Sequence, residues 1–118
     1  MNTAPKISII MSVYNGEDYL RDAIESVLNQ TFKDFELIVI NDCSTDSTGE
    51  ILNRFAELDK RVKVHTNEVN LRLPSSLNKA ISFAQGKYIA RMDADDICMP
   101  ERLEKQYEFM ENNPNVAC

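Results

Sequence analysis

The sequence has little glycine, no run of basic residues and no long apolar run. Its 3 glycines form neither the G-x-G-x-x-G pattern of dinucleotide-binding loops nor the G-x-x-x-x-G-K-[ST] pattern of P-loops, which argues against both kinds of phosphate site. The formal net charge of -6, with lysines and arginines scattered, argues against nucleic acid as a partner and against attraction to anionic membrane surfaces. No apolar stretch reaches transmembrane length.

The cysteines indicate neither a disulfide framework nor a metal site. Cys43, Cys98 and Cys118 are odd in number, widely separated and without the short spacings of metal ligands. Reduced thiols in a cytosolic compartment are the simplest interpretation, so we expect a cytoplasmic protein. We interpret Cys43 as a small packed residue rather than a nucleophile.

Strand-like and helix-like segments alternate along the 118 residues, which suit a single domain. Apolar runs bounded by turn residues predict strands at Lys6–Val13, Phe35–Ile40, Val62–His65 and Tyr88–Met92. A helix is predicted after each strand: one over Asp18–Gln30, one opening in a capping-box pattern at Ser47–Glu50, and two with Pro74 and Pro100 in their first turns. Four such units predict an α/β fold with a Rossmann-like, mostly parallel sheet and helices on both faces.

The most informative stretch is Tyr88–Asp96, which begins as an apolar strand and ends in a cluster of acids. The apolar residues suit a strand buried on both faces. Alternation along an extended chain would put Asp93 and Asp95 on one side and Asp96 on the other. Close carboxylates need a countercharge, and Mg or Mn is a natural one because hard cations prefer carboxylate oxygen. Two alternatives stay open: Arg91 neutralises one of the acids, or the segment is a solvated acidic loop.

Polar residues also stand at the ends of the first and second predicted strands. These are Ser12, Tyr14 and Asn15 at the end of the first and Asn41 and Asp42 at the end of the second. In open α/β sheets, ligands bind beyond the carboxyl ends of the strands, so these groups should gather with Asp93 along one edge. An aromatic ring, hydrogen-bonding groups and metal-type carboxylates suit a nucleotide that carries a diphosphate.

At this point the residues carry a family resemblance. The segments Ser12–Gly16, Asn41–Asp46 and Asp93–Asp96 resemble motifs of the family 2 glycosyltransferases, which have the GT-A fold. The segment Asn67–Asn78 resembles the family's loop and following helix, and Met99–Arg102 resembles the segment after its DXD motif. Each motif alone is weak, but all of them occur in the right order, and the likeness extends from Pro5 onward.

The resemblance implies a nucleoside diphosphate sugar as donor, most often a UDP-sugar. Asp42 would accept a hydrogen bond from the base and Tyr14 would lie against it, while Asp93 would lie near the ribose and Asp95 would hold Mg or Mn on the diphosphate. The implied nucleotide-binding residues are Ser12, Tyr14, Asn15, Glu17, Asn41, Asp42 and Asp93, the implied metal ligands are Asp95 and Asp93, and further candidates are Asp96, Arg72 and Arg91.

Three departures from the family pattern bear on the site. The family often has Asp where Asn41 stands, so one charge is lost while an acceptor oxygen remains. It often has Gly where Cys43 stands, and a cysteine disfavours a positive φ. It often has Gly where Arg72 stands; Arg72 could bind a phosphate or be solvated, and we favour the solvated interpretation.

The resemblance also implies a part that these residues do not match. The family's general base lies downstream of the DXD motif, so the catalytic base is unknown here, and we expect residues 1–118 to be the nucleotide-sugar-binding half, truncated before the acceptor-binding half. The implied reaction is sugar transfer, by inversion, to an acceptor such as a growing cell-surface polysaccharide or lipid-linked glycan. The alternative is a non-catalytic nucleotide-sugar binding module.

Two further expectations concern assembly and location. Unpartnered apolar surface, and a further strand beginning at Val116–Cys118, would favour self-association. In the full-length protein we expect a cytoplasmic location peripheral to the inner face of the membrane. A response-regulator receiver domain has a similar length, but its first strand should end in acids rather than in Ser12–Asn15.

Overall fold

The computed structural model describes residues 5–69, 72–94 and 100–112, and strands and helices alternate through them. The strands are β1 (Ile7–Val13), β2 (Phe35–Asn41), β3 (Val62–Thr66) and β4 (Tyr88–Arg91). The helices are α1 (Leu20–Leu28), α2 (Thr48–Leu58), α3 (Arg72–Phe83) and α4 (Arg102–Asn112). The predicted α/β class is confirmed, with small shifts at individual boundaries.

The strands form one parallel sheet in the order β3-β2-β1-β4. Strands β1 and β2 pair from Ile7 opposite Phe35 to Val13 opposite Asn41. Strand β4 pairs with the first part of β1, up to Ile10 opposite Arg91. Because every described pairing is parallel, the carboxyl ends of all four strands meet at one edge, which is where ligands bind in such sheets.

Helices cover both faces of the sheet, as predicted. Odd-numbered residues of β1 pack with α1, α2 and α4 in a core that includes Met11, Ile24 and Leu103. Even-numbered residues pack under α3 in a second core that includes Ile10, Ile40 and Ala80. Since Ser12 pairs with Ile40, the alternation of side chains puts Ser12 and Asp42 on the α3 face.

One prediction about the strands is wrong. Strand β4 was expected to be buried on both faces, but Tyr88 and Ala90 are half-buried and Arg91 is exposed. Among the described residues β4 pairs with β1 alone, so it is an edge strand. The strand buried along its whole length is β2, which lies between β1 and β3.

The predicted capping box at the start of α2 is also wrong. Ser47 precedes the helix with φ -81° and ψ 9°, and its side chain makes no capping hydrogen bond. An N-cap side chain usually acts from an extended backbone, which Ser47 does not adopt. Asp46 replaces it, because its carboxylate accepts a hydrogen bond from the amide of Thr48 at 2.9 Å.

Two further expectations can be located on the structure. Helix α3 begins at Arg72, so Pro74 does lie in its first turn, while the strand expected at Val116–Cys118 lies outside the described residues. None of the helices that the structure describes is both long and apolar enough to cross a membrane.

Candidate nucleotide-sugar site

The loops that follow β1 and β2 are joined by hydrogen bonds. The amide of Gly16 donates to Thr48 Oγ1 at 2.9 Å, and the amide of Asn15 donates to Ser44 Oγ at 3.0 Å. In return, the amide of Thr45 donates to Asn15 Oδ1 at 2.8 Å. These bonds fix the two loops against each other at the carboxyl edge of the sheet.

A second set of bonds joins the same loops at the start of α2. The amide of Glu17 donates to Asp46 Oδ2 at 3.2 Å, and the amide of Ser47 donates to Glu17 Oε2 at 3.1 Å. Partial burial alone would raise the pKa of the Asp46 carboxyl, but hydrogen bonds from Thr48 and from the amide of Glu17 hold it below its usual value. Asp46 is therefore ionised at neutral pH and well suited to this joint.

Asn15 and Glu17 therefore have structural partners in addition to their predicted role. Each uses a side-chain oxygen to accept a backbone amide from the loop after β2. Asn15 also adopts φ 50°, a left-handed conformation that asparagine tolerates better than most residues. Their contact with a nucleotide stays a prediction.

Ser12 and Tyr14 lie at the end of β1. Ser12 is half-buried in the strand, and the Tyr14 side chain just after it is 49% exposed. A large aromatic ring so open to solvent at the carboxyl edge of the sheet is available to stack on a planar ligand.

Asp42 is held from both neighbouring strands. Its amide donates to the carbonyl of Val13 in β1 at 2.8 Å, and its Oδ1 accepts from Asn67 Nδ2, just after β3, at 2.9 Å. The residue is only 3% exposed. A buried carboxylate with a fixed orientation can accept a hydrogen bond from a ligand with little further ordering cost.

Asn67 is the centre of a polar cluster that also contains the buried residues Asp42 and Ser76 and the half-buried Lys79. Besides binding Asp42, its Nδ2 donates to Ser76 Oγ at 3.1 Å, and its Oδ1 accepts from Lys79 Nζ at 2.8 Å. Of these four residues, Asp42 alone is among the site residues predicted from the sequence. The available signal was that Asn67 directly follows β3, as Asp42 follows β2.

Asn41 and Cys43 flank Asp42 and both have local roles. Asn41 is buried, and its Oδ1 accepts a hydrogen bond from the amide of Ser44 at 3.1 Å. This residue, predicted to contact the nucleotide, therefore stabilises the loop after β2. Cys43 adopts φ 61°, contrary to the expectation that a cysteine would avoid a positive φ. Its thiol donates to the carbonyl of Glu68 at 3.4 Å, which helps to hold it there.

The acid after β4 has a cationic neighbour. Arg91 Nη2 donates to Asp93 Oδ1 at 3.2 Å, and both side chains are 52% exposed. The alternative in which Arg91 pairs with one of the acids is therefore seen in the structure. Asp93 is an exposed carboxylate at the carboxyl edge of the sheet, and Arg91 contacts only one of its two oxygens.

Some predicted site residues lie outside what the structure describes. These are Asp95, Asp96 and the side chain of Arg72, whose backbone begins α3. Within residues 5–69, 72–94 and 100–112, no group of three or more His, Cys, Asp or Glu side chains is placed to hold a metal ion. The predicted metal site therefore depends on Asp93 together with undescribed residues.

The sequence profile of glycosyl transferase family 2 matches residues 8–118. The chain belongs to this family. EpsE of Bacillus subtilis (strain 168) is 47% identical over 114 residues, which make up 96% of this chain and 41% of EpsE. The O-antigen biosynthesis glycosyltransferase WbnJ of Escherichia coli is 44% identical over 110 residues, which make up 91% of this chain and 42% of WbnJ. The family 2 chain thus spans less than half the length of these two relatives.

The fold matches a solved family structure. The crystal structure of S. aureus TarS residues 1-349 in complex with UDP superposes with a TM-score of 0.85 and is 31% identical in sequence. The match covers 92% of this chain and 33% of the TarS chain. TarS has also been crystallised with UDP-GlcNAc, and the same TM-score holds for that structure. The predicted GT-A family and fold class are therefore confirmed.

Proposed function

We propose that this chain is the donor-binding part of a metal-dependent glycosyltransferase. The donor is a nucleoside diphosphate sugar with uracil as its base, and the acceptor is a growing glycan or a lipid-linked glycan. Transfer proceeds with inversion at the sugar carbon. The observation that carries this proposal is the buried, oriented carboxylate of Asp42 together with the exposed ring of Tyr14, both at the carboxyl edge of a parallel sheet.

The chemistry of these two side chains suits uracil. An ionised carboxylate only accepts hydrogen bonds, so Asp42 would pair with the ring N3–H of uracil and would be repelled by the ring N3 of cytosine, which is an acceptor. The ring of Tyr14 offers a stacking surface for the base. Ser12 lies on the same α3 face of the sheet as Asp42, and it would contact the nucleoside on that face.

The donor set suits a hard cation on the diphosphate. Asp93 contributes carboxylate oxygen at the edge of the sheet, and Asp95 two residues later would be the main ligand. Such a cation prefers oxygen and needs about six ligands, so the diphosphate would have to supply most of them. Bound Mg or Mn would stabilise the negative charge of the leaving diphosphate.

Related proteins support the choice of donor and acceptor. TarS, 31% identical to this chain, was crystallised with UDP and with UDP-GlcNAc. The name of WbnJ places that relative in O-antigen biosynthesis, which makes a surface polysaccharide a reasonable acceptor class. We accordingly propose that the full-length enzyme works in the cytoplasm, at the inner face of the membrane.

Calorimetric titration of UDP with and without Mn tests this function. UDP should bind the wild-type chain, more tightly with Mn, and should raise the free energy of unfolding by about 2.7 kcal/mol at one hundred times its dissociation constant. Asp42→Ala should lose most of this binding. Asp95→Asn should lose the Mn-dependent part and keep some recognition of the base.

Asp34→Ala is a matched control, because Asp34 is exposed and lies just before β2, at the opposite end from Asp42. It should bind UDP as the wild type does. Equal UDP binding by Asp42→Ala would show that the base site is assigned wrongly. Tight Mn binding without nucleotide would contradict the proposal that the diphosphate supplies most of the metal ligands. UDP binding by a full-length protein that transfers no sugar would favour the alternative of a binding module.

A further inference from the structure

We infer that Asn67 and Lys79 are positioning residues that set the base specificity of Asp42. This inference rests on the proposed function, since it concerns how the same carboxylate selects a base. Neither residue belongs to the predicted site, yet each should have a measurable effect on which nucleotide binds more tightly.

The orientation of the Asn67 amide is determined by its partners. Lys79 is a donor without acceptor capacity, so the atom that faces it at 2.8 Å must be the amide oxygen. An ionised carboxylate accepts only, so the atom that faces Asp42 at 2.9 Å must be the amide nitrogen. The two requirements agree, and they leave one orientation of the side chain.

The backbone fixes the same residue independently. The amide of Asn67 donates to the carbonyl of Asn41 at 2.9 Å, which extends the pairing of β2 and β3 by one step. Ser76 in α3 accepts the second N–H of the Asn67 side chain at 3.1 Å. Asn67 and Ser76 are 3% and 0% exposed, so water does not compete for these bonds. Asn67 is therefore a rigid support rather than a mobile surface side chain.

Lys79 contributes positive charge to this arrangement. A carboxylate as buried as Asp42 is costly unless cationic or hydrogen-bonding groups compensate it. The ammonium of Lys79 polarises the Asn67 amide, and the polarised N–H becomes a stronger donor to Asp42. The amide thus relays part of the lysine charge to the carboxylate and strengthens the hydrogen bond that orients it.

The consequence is chemical selectivity. Asn67, which follows β3, binds Oδ1 of Asp42 and so orients the carboxylate. The loop after β1 lies on the other side of β2. A carboxylate held in this orientation accepts from the ring N3–H of uracil and cannot donate to the ring N3 of cytosine, whereas a carboxylate that rotates away loses the bond to uracil. Asn67 and Lys79 therefore act on the preference for UDP over CDP more than on binding of the diphosphate.

The test measures dissociation constants for UDP and CDP, with Mn, by calorimetry. Lys79→Met keeps the aliphatic stem and removes the charge; we expect UDP to bind about five- to tenfold more weakly, the effect of losing one ordinary hydrogen bond, and CDP to change little. Lys79→Arg should restore most of the preference. Asn67→Asp puts a carboxylate against Asp42 and should lose the preference more completely.

Lys60→Met is the control for removing one exposed positive charge, and it should keep the wild-type ratio of UDP to CDP affinity. Thermal melts of each variant separate folding from recognition. The inference is overturned if Lys79→Met and Asn67→Asp fold and keep the wild-type ratio, or if both nucleotides weaken equally. The proposed function fails separately, if the wild-type chain binds neither nucleotide.

Discussion

Arg91 and Asp93 form an exposed ion pair at the end of β4, with Arg91 Nη2 3.2 Å from Asp93 Oδ1. The pair occupies one oxygen of the acid that is expected to face the donor. Arg91 would therefore compete with a divalent cation for this carboxylate. The competition is modest, because both side chains are 52% exposed and water screens the attraction.

We predict that Arg91→Gln strengthens Mn binding to the UDP complex by about two- to fivefold, the range expected for an exposed ion pair. The free energy of unfolding should stay within about 0.5 kcal/mol of the wild type for the same reason. Calorimetric titration of Mn into the UDP complex measures the first quantity. Lys105→Gln, which removes an exposed lysine 3.5 Å from Glu101, should leave Mn binding unchanged. Weaker Mn binding by Arg91→Gln would show that Arg91 assists the metal site.

Cys43 at φ 61° stores backbone strain that glycine would not. The left-handed conformation costs a non-glycine residue about 1–2 kcal/mol, and glycine loses about 0.5–1 kcal/mol of chain entropy in return. We therefore expect Cys43→Gly to raise the free energy of unfolding by about 0.5–1 kcal/mol, measured by urea denaturation. Cys43→Ala keeps the strain and removes the thiol, so it should give no gain. A Cys43→Gly variant no more stable than Cys43→Ala would refute the strain argument.

Glu36 is a buried acid on the α3 face of β2, and its environment makes stability depend on pH. Burial alone would raise the pKa of its carboxyl, but hydrogen bonds from Lys63 at 2.7 Å, from Ser8 and from the amide of Gln85 hold it below the ordinary value of 4.5. The folded-state pKa is thus lower than the unfolded one. The stabilisation is present above pH 4.5 and is lost as the pH falls through the folded-state pKa.

We predict that Glu36→Gln lowers the free energy of unfolding at neutral pH by about 2 kcal/mol, the size expected for hydrogen bonds to a charged group. The difference from the wild type should shrink as the pH is lowered past 4.5. Urea denaturation over a pH series measures both effects. Glu101→Gln breaks an exposed pair with Lys105 and should change stability by less than about 0.5 kcal/mol. A difference between wild type and Glu36→Gln that does not vary with pH would contradict the assignment.

Gly86 lies where the turn after α3 passes against β1. A Cβ at this position would be 2.6 Å from the Ser8 amide nitrogen and 2.8 Å from the Ile7 carbonyl carbon, and this backbone cannot move aside without disrupting the sheet. We expect Gly86→Ala to destabilise the fold by about 3 kcal/mol, the upper range for overpacking. Gly49→Ala is the matched control, since among the described residues its Cβ would approach the side chain of Asn41 alone, at 3.3 Å.

Thermal and urea denaturation of the two alanine variants should differ clearly. Gly49 lies in the first turn of α2, where alanine favours the helix, so Gly49→Ala should stay within about 1 kcal/mol of the wild type. Similar stabilities for the two variants would mean that the β1 backbone can shift at Ser8 and accommodate the added Cβ.

Much of the candidate site could be predicted because it depends on local pattern and on one topological rule. Asp42 and Asp93 each follow an apolar run that is long enough to form a strand, and parallel strands bring such positions to one edge. The wrong prediction that β4 is buried on both faces also has a physical cause. A short apolar run has the same sequence pattern in a central strand and in an edge strand. Which strand lies at the edge depends on pairing, and pairing involves residues far apart in the chain.

The sequence alone thus determined the α/β alternation, the family and the residues at the strand ends, because each follows from the order of side chains along a short segment. Tertiary structure alone decided what holds those residues. Asn67 contacts Asp42 across 25 positions, and Ser8 contacts Glu36 across 28. Hydrogen bonds over such separations leave no periodic trace in the sequence, since they arise only when the sheet brings the strands together.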